Sequence, residues 1–405
     1  YLCIGRNMSV STFSSMLSEF QGFYKLLNLS ACVVPALVKA ISTRVKVKNL
    51  ELWDMKNIET FDVIPSIESL YLREGNKLKI ETLNLPAYPL LRSLKLYSCS
   101  SVKDVSCLDG IHSLELYYCQ KITDVSSLNN NYRVSILGCT RITTYSRSFR
   151  STRYLEIVGF RSDVMVGLGS CCHLKSLSLS STMGFTGCNI NLLMILSIRD
   201  ATNLTALPPN RLQKVSIIKC RHFNSLDNMD HIRSIHLEGL NHIKTLTALG
   251  PKNQIVKLRN MKQLEDISAL KEAQSVAISN CPLLWNSEGL NCLTSVKELH
   301  LSEGFNCPPS MSTFLLLLND LHSFVNLNEL ELSFHSMLSG TDKESLRFHV
   351  LQTLKTVERI TLHGEYINIM NEDIYKEFYV NEKVNVMEIG RTQVTLLRKR
   401  VASAS

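Results

Sequence analysis

Thirteen cysteines and eleven histidines are the residues of this sequence most able to do chemistry, as metal ligands, nucleophiles or general bases. Their spacing argues against such work. A metal site draws on two ligands at close spacing, such as C-x₂₋₄-C, and no such pair occurs. Cys171 and Cys172 are adjacent, so their side chains cannot easily share an ion. The histidines are scattered, and His236 and His300 fall far apart on positions expected to face solvent. G-x-x-x-x-G-K-[ST], H-E-x-x-H and G-x-S-x-G are missing, and Gly167-Leu-Gly169 is too short for a dinucleotide loop. The expectation is a protein with no catalytic, cofactor-binding or metal-binding residues, that is, not an enzyme.

The elements that would carry any site announce themselves by repetition. An apolar-x-apolar doublet recurs, as in Leu50-x-Leu52, Leu70-x-Leu72, Leu94-x-Leu96, Leu114-x-Leu116 and Val134-x-Ile136, and onward to Ile360-x-Leu362. From Leu52 to Leu301 the spacings are 20, 24, 20, 20, 21, 22, 19, 19, 20, 21, 20 and 23 residues. Twelve nearly equal intervals do not arise by chance. Two apolar residues separated by one position share a face of a strand, because side chains alternate. Each unit therefore supplies one short strand that buries its face only when the next unit stacks on it, in a parallel sheet.

The second half of the unit repeats too. Ile122-Thr-Asp124-Val125-x-x-Leu128 matches Val102-Lys-Asp104-Val105-x-x-Leu108 and Leu264-Glu-Asp266-Ile267-x-x-Leu270. Apolar residues three apart suit a 3₁₀-like or extended return, and the aspartate is placed to cap the turn. Three positions beyond the second strand residue lies a rung that reads Met55, Gly75, Cys99, Cys119, Cys139, Phe160, Thr182, Ala201, Cys220, Leu240, Met261, Cys281 and Gly304, with Cys32 before them. Six of the 13 cysteines fall there, which gives them a structural reading: small, apolar, weak donors to the turn of the next unit. Unpaired thiols spread along a solenoid predict a reducing compartment, here taken as the cytoplasm.

The unit Leu114-Glu-Leu116-Tyr-Tyr-Cys119-Gln-Lys-Ile122-Thr-Asp-Val125-Ser-Ser-Leu128 resembles leucine-rich repeats of the form L-x-x-L-x-L-x-x-C/N. It looks like the short "C-x-x-I-T-D-V-S-x-L" arrays of large protist leucine-rich-repeat proteins, and is also similar to the cysteine-containing repeats of F-box substrate receptors. The resemblance implies an α/β repeat fold: a leucine-rich-repeat solenoid with a parallel β-sheet on its concave side and mostly 3₁₀ or extended convex segments. Helices are expected only in the longer C-terminal units, with one over Asp342 to Lys355.

Residues 1–364 are expected to form the solenoid, 365–395 a C-terminal cap with a last strand at Met387-x-Ile389, and 396–405 a disordered basic tail. The opening Leu2-x-Ile4 doublet and the missing initiating Met predict a fragment that starts mid-repeat, its N-terminal cap upstream. Apolar runs reach about five residues, far below the ~20 that span a bilayer.

Binding is then expected on the sheet. The formal charge is +8, yet positions flanking the strand doublets carry eight basic and eight acidic residues, so the concave face is not expected to hold nucleic acid. Aromatics are less even: Trp53, Tyr71, Tyr97 and Tyr117 lie on successive units and Tyr154 two units further, with Arg73 and Lys95 among them. Cross-strand neighbours touch, so these seven residues are expected to form one strip for a protein partner of unknown identity, since aromatics and Arg dominate interface hot spots. The chain is expected to be a monomeric protein–protein interaction scaffold. Two alternatives are the substrate-recognition part of an F-box ubiquitin ligase and an extracellular receptor or adhesin fragment.

Overall fold

The computed structural model describes residues 46–60, 63–82, 85–143, 148–159, 171–181, 192–207, 211–286, 292–302, 326–334 and 359–364, and positions 12, 15, 39, 41, 290 and 357. For strands 2–4, 23–29, 384–389 and 393–398 it describes the backbone alone. The chain forms two compact units, Tyr1–Asn203 and Leu204–Ser405. Each is a solenoid of parallel strands, one strand per repeat.

The first unit stacks β1 (Leu2–Ile4), β2 (Phe23–Leu29), β3 (Lys46–Leu52), β4 (Ser69–Arg73), β5 (Ser93–Tyr97), β6 (Ser113–Tyr117), β7 (Arg133–Leu137), β8 (Tyr154–Val158), β9 (Ser176–Ser180) and β10 (Ile195–Arg199). Each pairs in parallel with the next in sequence. The register sets leucine on leucine: Leu70 pairs Leu94, Leu72 pairs Leu96 and Leu94 pairs Leu114. Those doublet side chains are fully buried, and each contributes about 1.5–3 kcal/mol by leaving water.

The second unit repeats the scheme with β11 (Lys214–Ile218), β12 (Ser234–Glu238), β13 (Ile255–Arg259), β14 (Ser275–Ser279), β15 (Glu298–Ser302), β16 (Glu329–Phe334) and β17 (Arg359–Gly364). It closes differently. Strands β18 (Val384–Ile389) and β19 (Gln393–Arg398) form an antiparallel hairpin, and β19 pairs antiparallel to β17. β18 contains the expected Met387-x-Ile389 strand. β19 reaches Arg398, so Leu396–Arg398, expected in the tail, are strand. The expected helix over Asp342 to Lys355 lies outside the described residues, as do the rungs Cys32, Phe160, Thr182 and Gly304.

The return segments are extended or 3₁₀, as at Ser106–Leu108 and Ser268–Leu270. The repeated aspartate caps them: carboxylates of Asp104, Asp124 and Asp266 accept the N–H two residues on, at 2.8, 2.7 and 2.8 Å. Between strand and rung sits a device with no plain sequence signature. The residue after the strand takes φ between 51° and 80° in unit after unit, including Glu74, Ser98, Tyr118, Gly138, Gly159, Ser181, Lys219 and Asn260. This left-handed step aims its N–H at the next unit, as in Ser98 to the Tyr117 carbonyl (2.8 Å) and Tyr118 to that of Leu137 (2.8 Å). The ladder thereby continues one residue beyond the sheet. Few of these positions are glycine, so hydrogen bonding outweighs a local cost of ~1–2 kcal/mol per residue.

The rung cysteines Cys99, Cys119, Cys139, Cys220 and Cys281 are fully buried. Their thiols, expected to donate to the turn of the next unit, instead face carbonyls of the preceding unit and their own strand, while Cys119 also meets the next rung, Cys139. The Cys119 thiol faces the carbonyls of Leu96 (3.7 Å) and Tyr117 (3.6 Å), and the Cys139 sulfur accepts the Cys119 N–H at 3.3 Å. The reason is the left-handed step, which turns the rung back under the strand it follows. The hydrogen bond with Cys139, reinforced by burial, pushes the Cys119 thiol up to about 12, and burial pushes Cys281 up to about 11. All nine described cysteines are free, and only Cys172 is exposed. Thiolates, not thiols, react with alkylating reagents. At a pH of about 8, iodoacetamide should therefore label Cys172 in the native protein and spare Cys119 and Cys281 until denaturant is added. Peptide mass mapping checks this; rapid native labelling of either rung would contradict the buried ladder.

Candidate interaction surface

Outward positions of β3 to β8 form columns across the sheet because the register is one-to-one. In the column just after the doublet, Arg73 pairs with Tyr97 and Tyr97 with Tyr117. In the middle column Tyr71 pairs with Lys95 and Lys95 with Glu115. Each cation lies between two rings. The Arg73 guanidinium stands 5.0 Å from the Trp53 ring and 4.9 Å from Tyr97, and the Lys95 ammonium 5.2 Å from Tyr71 and 4.5 Å from Tyr117. Each such contact is worth roughly 0.5–1 kcal/mol at a half-exposed site. Carboxylates complete the lattice: Lys95 Nζ is 3.0 Å from Glu115, and Arg73 Nε 3.3 Å from Glu74.

Protonation follows from these contacts. Burial alone would lower the Lys95 ammonium, but the hydrogen bond and charge of Glu115 outweigh it and hold it above its ordinary value. Burial raises the phenols of Tyr71 and Tyr117, against the pull of Lys95 on both. Tyr71 and Tyr117 are thus neutral phenols on either side of a charged Lys95 at physiological pH. Such side chains are half-ordered before anything binds, which lowers the entropic cost of association.

Six of the seven residues read from the sequence meet in this lattice. Tyr154 does not join it. It lies in the column before the doublet, in register with Arg133 and Ser176, about 13 Å along a strand from the column of Tyr117. Arg133 covers its ring at 5.0 Å, and Tyr132 lies at 5.4 Å. A strand carries an aromatic on either side of its doublet with the same face exposed, so facing alone could not separate the two clusters. Between them runs an open groove of about 370 Å³ lined by Glu115, Tyr117, Arg133, Ser135, Tyr154 and Glu156. Ser135 Oγ donates to Glu156 at 2.7 Å and lies 3.4 Å from the Tyr117 hydroxyl.

Sequence reasoning missed Tyr118, which follows the strand and should face away. Its left-handed backbone swings the ring to 5.3 Å from Tyr97, edge on. Gly138 makes the room: a Cβ there would come within 2.6 Å of the Tyr118 ring. In the second unit, the solvent-facing His300 is paired across the sheet. Its Nδ1 lies 2.5 Å from one Glu331 oxygen, and His363 Nε2 lies 2.9 Å from the other. His236 faces Ser216 Oγ at 3.2 Å.

Among the described residues no group of three or more His, Cys, Asp or Glu could hold a metal ion, and no helix is long and apolar enough to cross a membrane. Neither a protein-family model nor a curated protein sequence matches the chain.

Proposed function

We propose that the chain is a leucine-rich-repeat scaffold that binds a protein partner through the exposed sheet face of its first unit, and that it performs no catalysis. The observation that carries this reading is the lattice of Arg73 and Lys95, each held between two aromatic rings on successive strands. Rigid Tyr, Trp and Arg side chains concentrate binding energy where they are pre-ordered and later desolvated. The interleaved Glu115 and Glu74 keep the patch near neutral, which suits a mixed protein surface better than a one-signed ligand. The free buried thiols fit a reducing compartment such as the cytoplasm.

The test replaces the two central rings, Tyr97→Ala and Tyr117→Ala, and measures affinity for a partner identified with the native chain. Two hot-spot truncations should weaken binding about 100-fold or more with an unchanged melting temperature. An affinity within a factor of about two of native would overturn the reading.

A further inference from the structure

Four of the 44 basic residues gather at one edge of the first unit. The residue immediately preceding each of strands β5 to β9 is Arg92, His112, Tyr132, Arg153 and Lys175 in turn. Backbone bonds place them in one file: Ser113 N–H to Arg92 O (2.8 Å), Arg133 N–H to His112 O (2.8 Å), Arg153 N–H to Tyr132 O (2.9 Å) and Lys175 N–H to Arg153 O (2.9 Å). Arg133, one position further in, adds a fourth full cation. At strand spacing the file runs about 19 Å along the N-terminal edge of the strands.

Two rings stand in it between cations on either side. The His112 and Tyr132 rings stack at 4.5 Å and 10°, Arg153 covers Tyr132 at 5.4 Å, and Arg133 covers Tyr154 at 5.0 Å. Among the described residues none of Arg92, Arg133, Arg153 and Lys175 has a carboxylate partner. The nearby carboxylates are engaged elsewhere. Asp109 accepts the N–H groups of Asn129 (2.8 Å) and Asn130 (2.7 Å), and Lys48 holds Glu68 at 3.0 Å. Glu115 and Glu156, further in on the face, are tied to Lys95 and Ser135.

We propose that this edge binds the phosphodiester backbone of single-stranded nucleic acid. It lies at the N-terminal edge of the strands and meets the charge-balanced face assigned to a protein partner only at Arg133 and Tyr154. Cations with no carboxylate partner among the described residues, set on either side of stacked rings, are what backbone tracking and base stacking require. A protein interface needs an apolar centre, whereas this file is flanked on the sheet by Ser93, Ser113 and Ser176. The Arg133 and Arg153 guanidiniums lie against tyrosine faces, and a stacked guanidinium still presents its N–H edge to phosphate oxygens.

The test titrates the full chain with fluorescent oligouridylate of about 12 nucleotides. Four cations predict a log–log salt slope of about −3, so binding should weaken about 50-fold between about 50 and about 200 mM salt. The triple variant R133S/R153S/K175S should bind at least about tenfold more weakly, its slope shallower by about 2. Should the triple variant lose its native melting transition, K175A alone should still shrink the slope by about 0.7. No binding by the native chain at low salt, a variant slope equal to native, or tighter binding of poly-glutamate than of oligouridylate would each overturn the proposal.

Discussion

Phe223→Ala should destabilise the second unit by about 3–5 kcal/mol. Phe223 is fully buried and ranks among the largest such side chains of the protein. It stands three residues after the rung Cys220, where neighbouring units carry Leu204 and Ile243, both buried. Its N–H closes the turn onto the Cys220 carbonyl at 3.1 Å. Truncation removes the ring from a core that is only one unit thick along the stack, so the void is bounded by both neighbours. A solenoid relaxes poorly around it because each strand is pinned by backbone bonds on both sides. Urea titration should show the loss as a lower midpoint, and Phe223→Leu should recover all but about 1.5 kcal/mol. A cost below about 1 kcal/mol for the alanine variant would mean that the site collapses freely.

The second large effect is expected at a polar residue. Asn131 is completely buried in a file otherwise occupied by residues such as Ile111, and its amide donates to the carbonyls of Leu108 (2.9 Å) and Ile111 (2.8 Å) of the preceding unit. Thr152 Oγ1 in turn donates to the Asn131 carbonyl at 2.8 Å. Asn253 repeats the arrangement in the second unit, on the carbonyls of Met229 and Ile232. Asn131→Ala takes the donor from the buried Ile111 carbonyl and leaves the Leu108 carbonyl only the long bond from the Ile111 N–H (3.5 Å), and a buried acceptor left unmet costs ~1–3 kcal/mol. The expected loss is about 2–4 kcal/mol, more than the missing apolar contact accounts for. Denaturant midpoints for Asn131→Ala and, as an independent copy, Asn253→Ala check it. Neutral variants would show that water reaches those carbonyls.

The two residues also mark a limit of reading by pattern. Ile111, Asn131, Thr152 and Leu174 occupy one structural position, yet only some are apolar. In a hydropathy scan Asn131 reads as a loop asparagine, because the carbonyls it serves belong to a unit some twenty residues earlier. Asp104, Asp124 and Asp266 were legible for the opposite reason: their acceptor role is satisfied two residues away.

The same distinction runs through the candidate site. The doublets, the period, the strand faces and the cysteine rungs could be read from the chain alone, because each follows from side-chain alternation or a local turn and recurs until chance is excluded. Which side chains meet could not. Unit lengths vary from 19 to 24 residues between Leu52 and Leu301 and reach 31 beyond it, so neighbours across the sheet are set by backbone pairing and not by counting. That pairing puts Arg73 between Trp53 and Tyr97, separates Tyr154 from the lattice, and gathers Arg92, Arg153 and Lys175 into one file. The left-handed residue after each strand and the closing antiparallel hairpin emerge at the same level. Both are answers to backbone groups that must find partners in a neighbouring unit, a demand that exists only once the units are stacked.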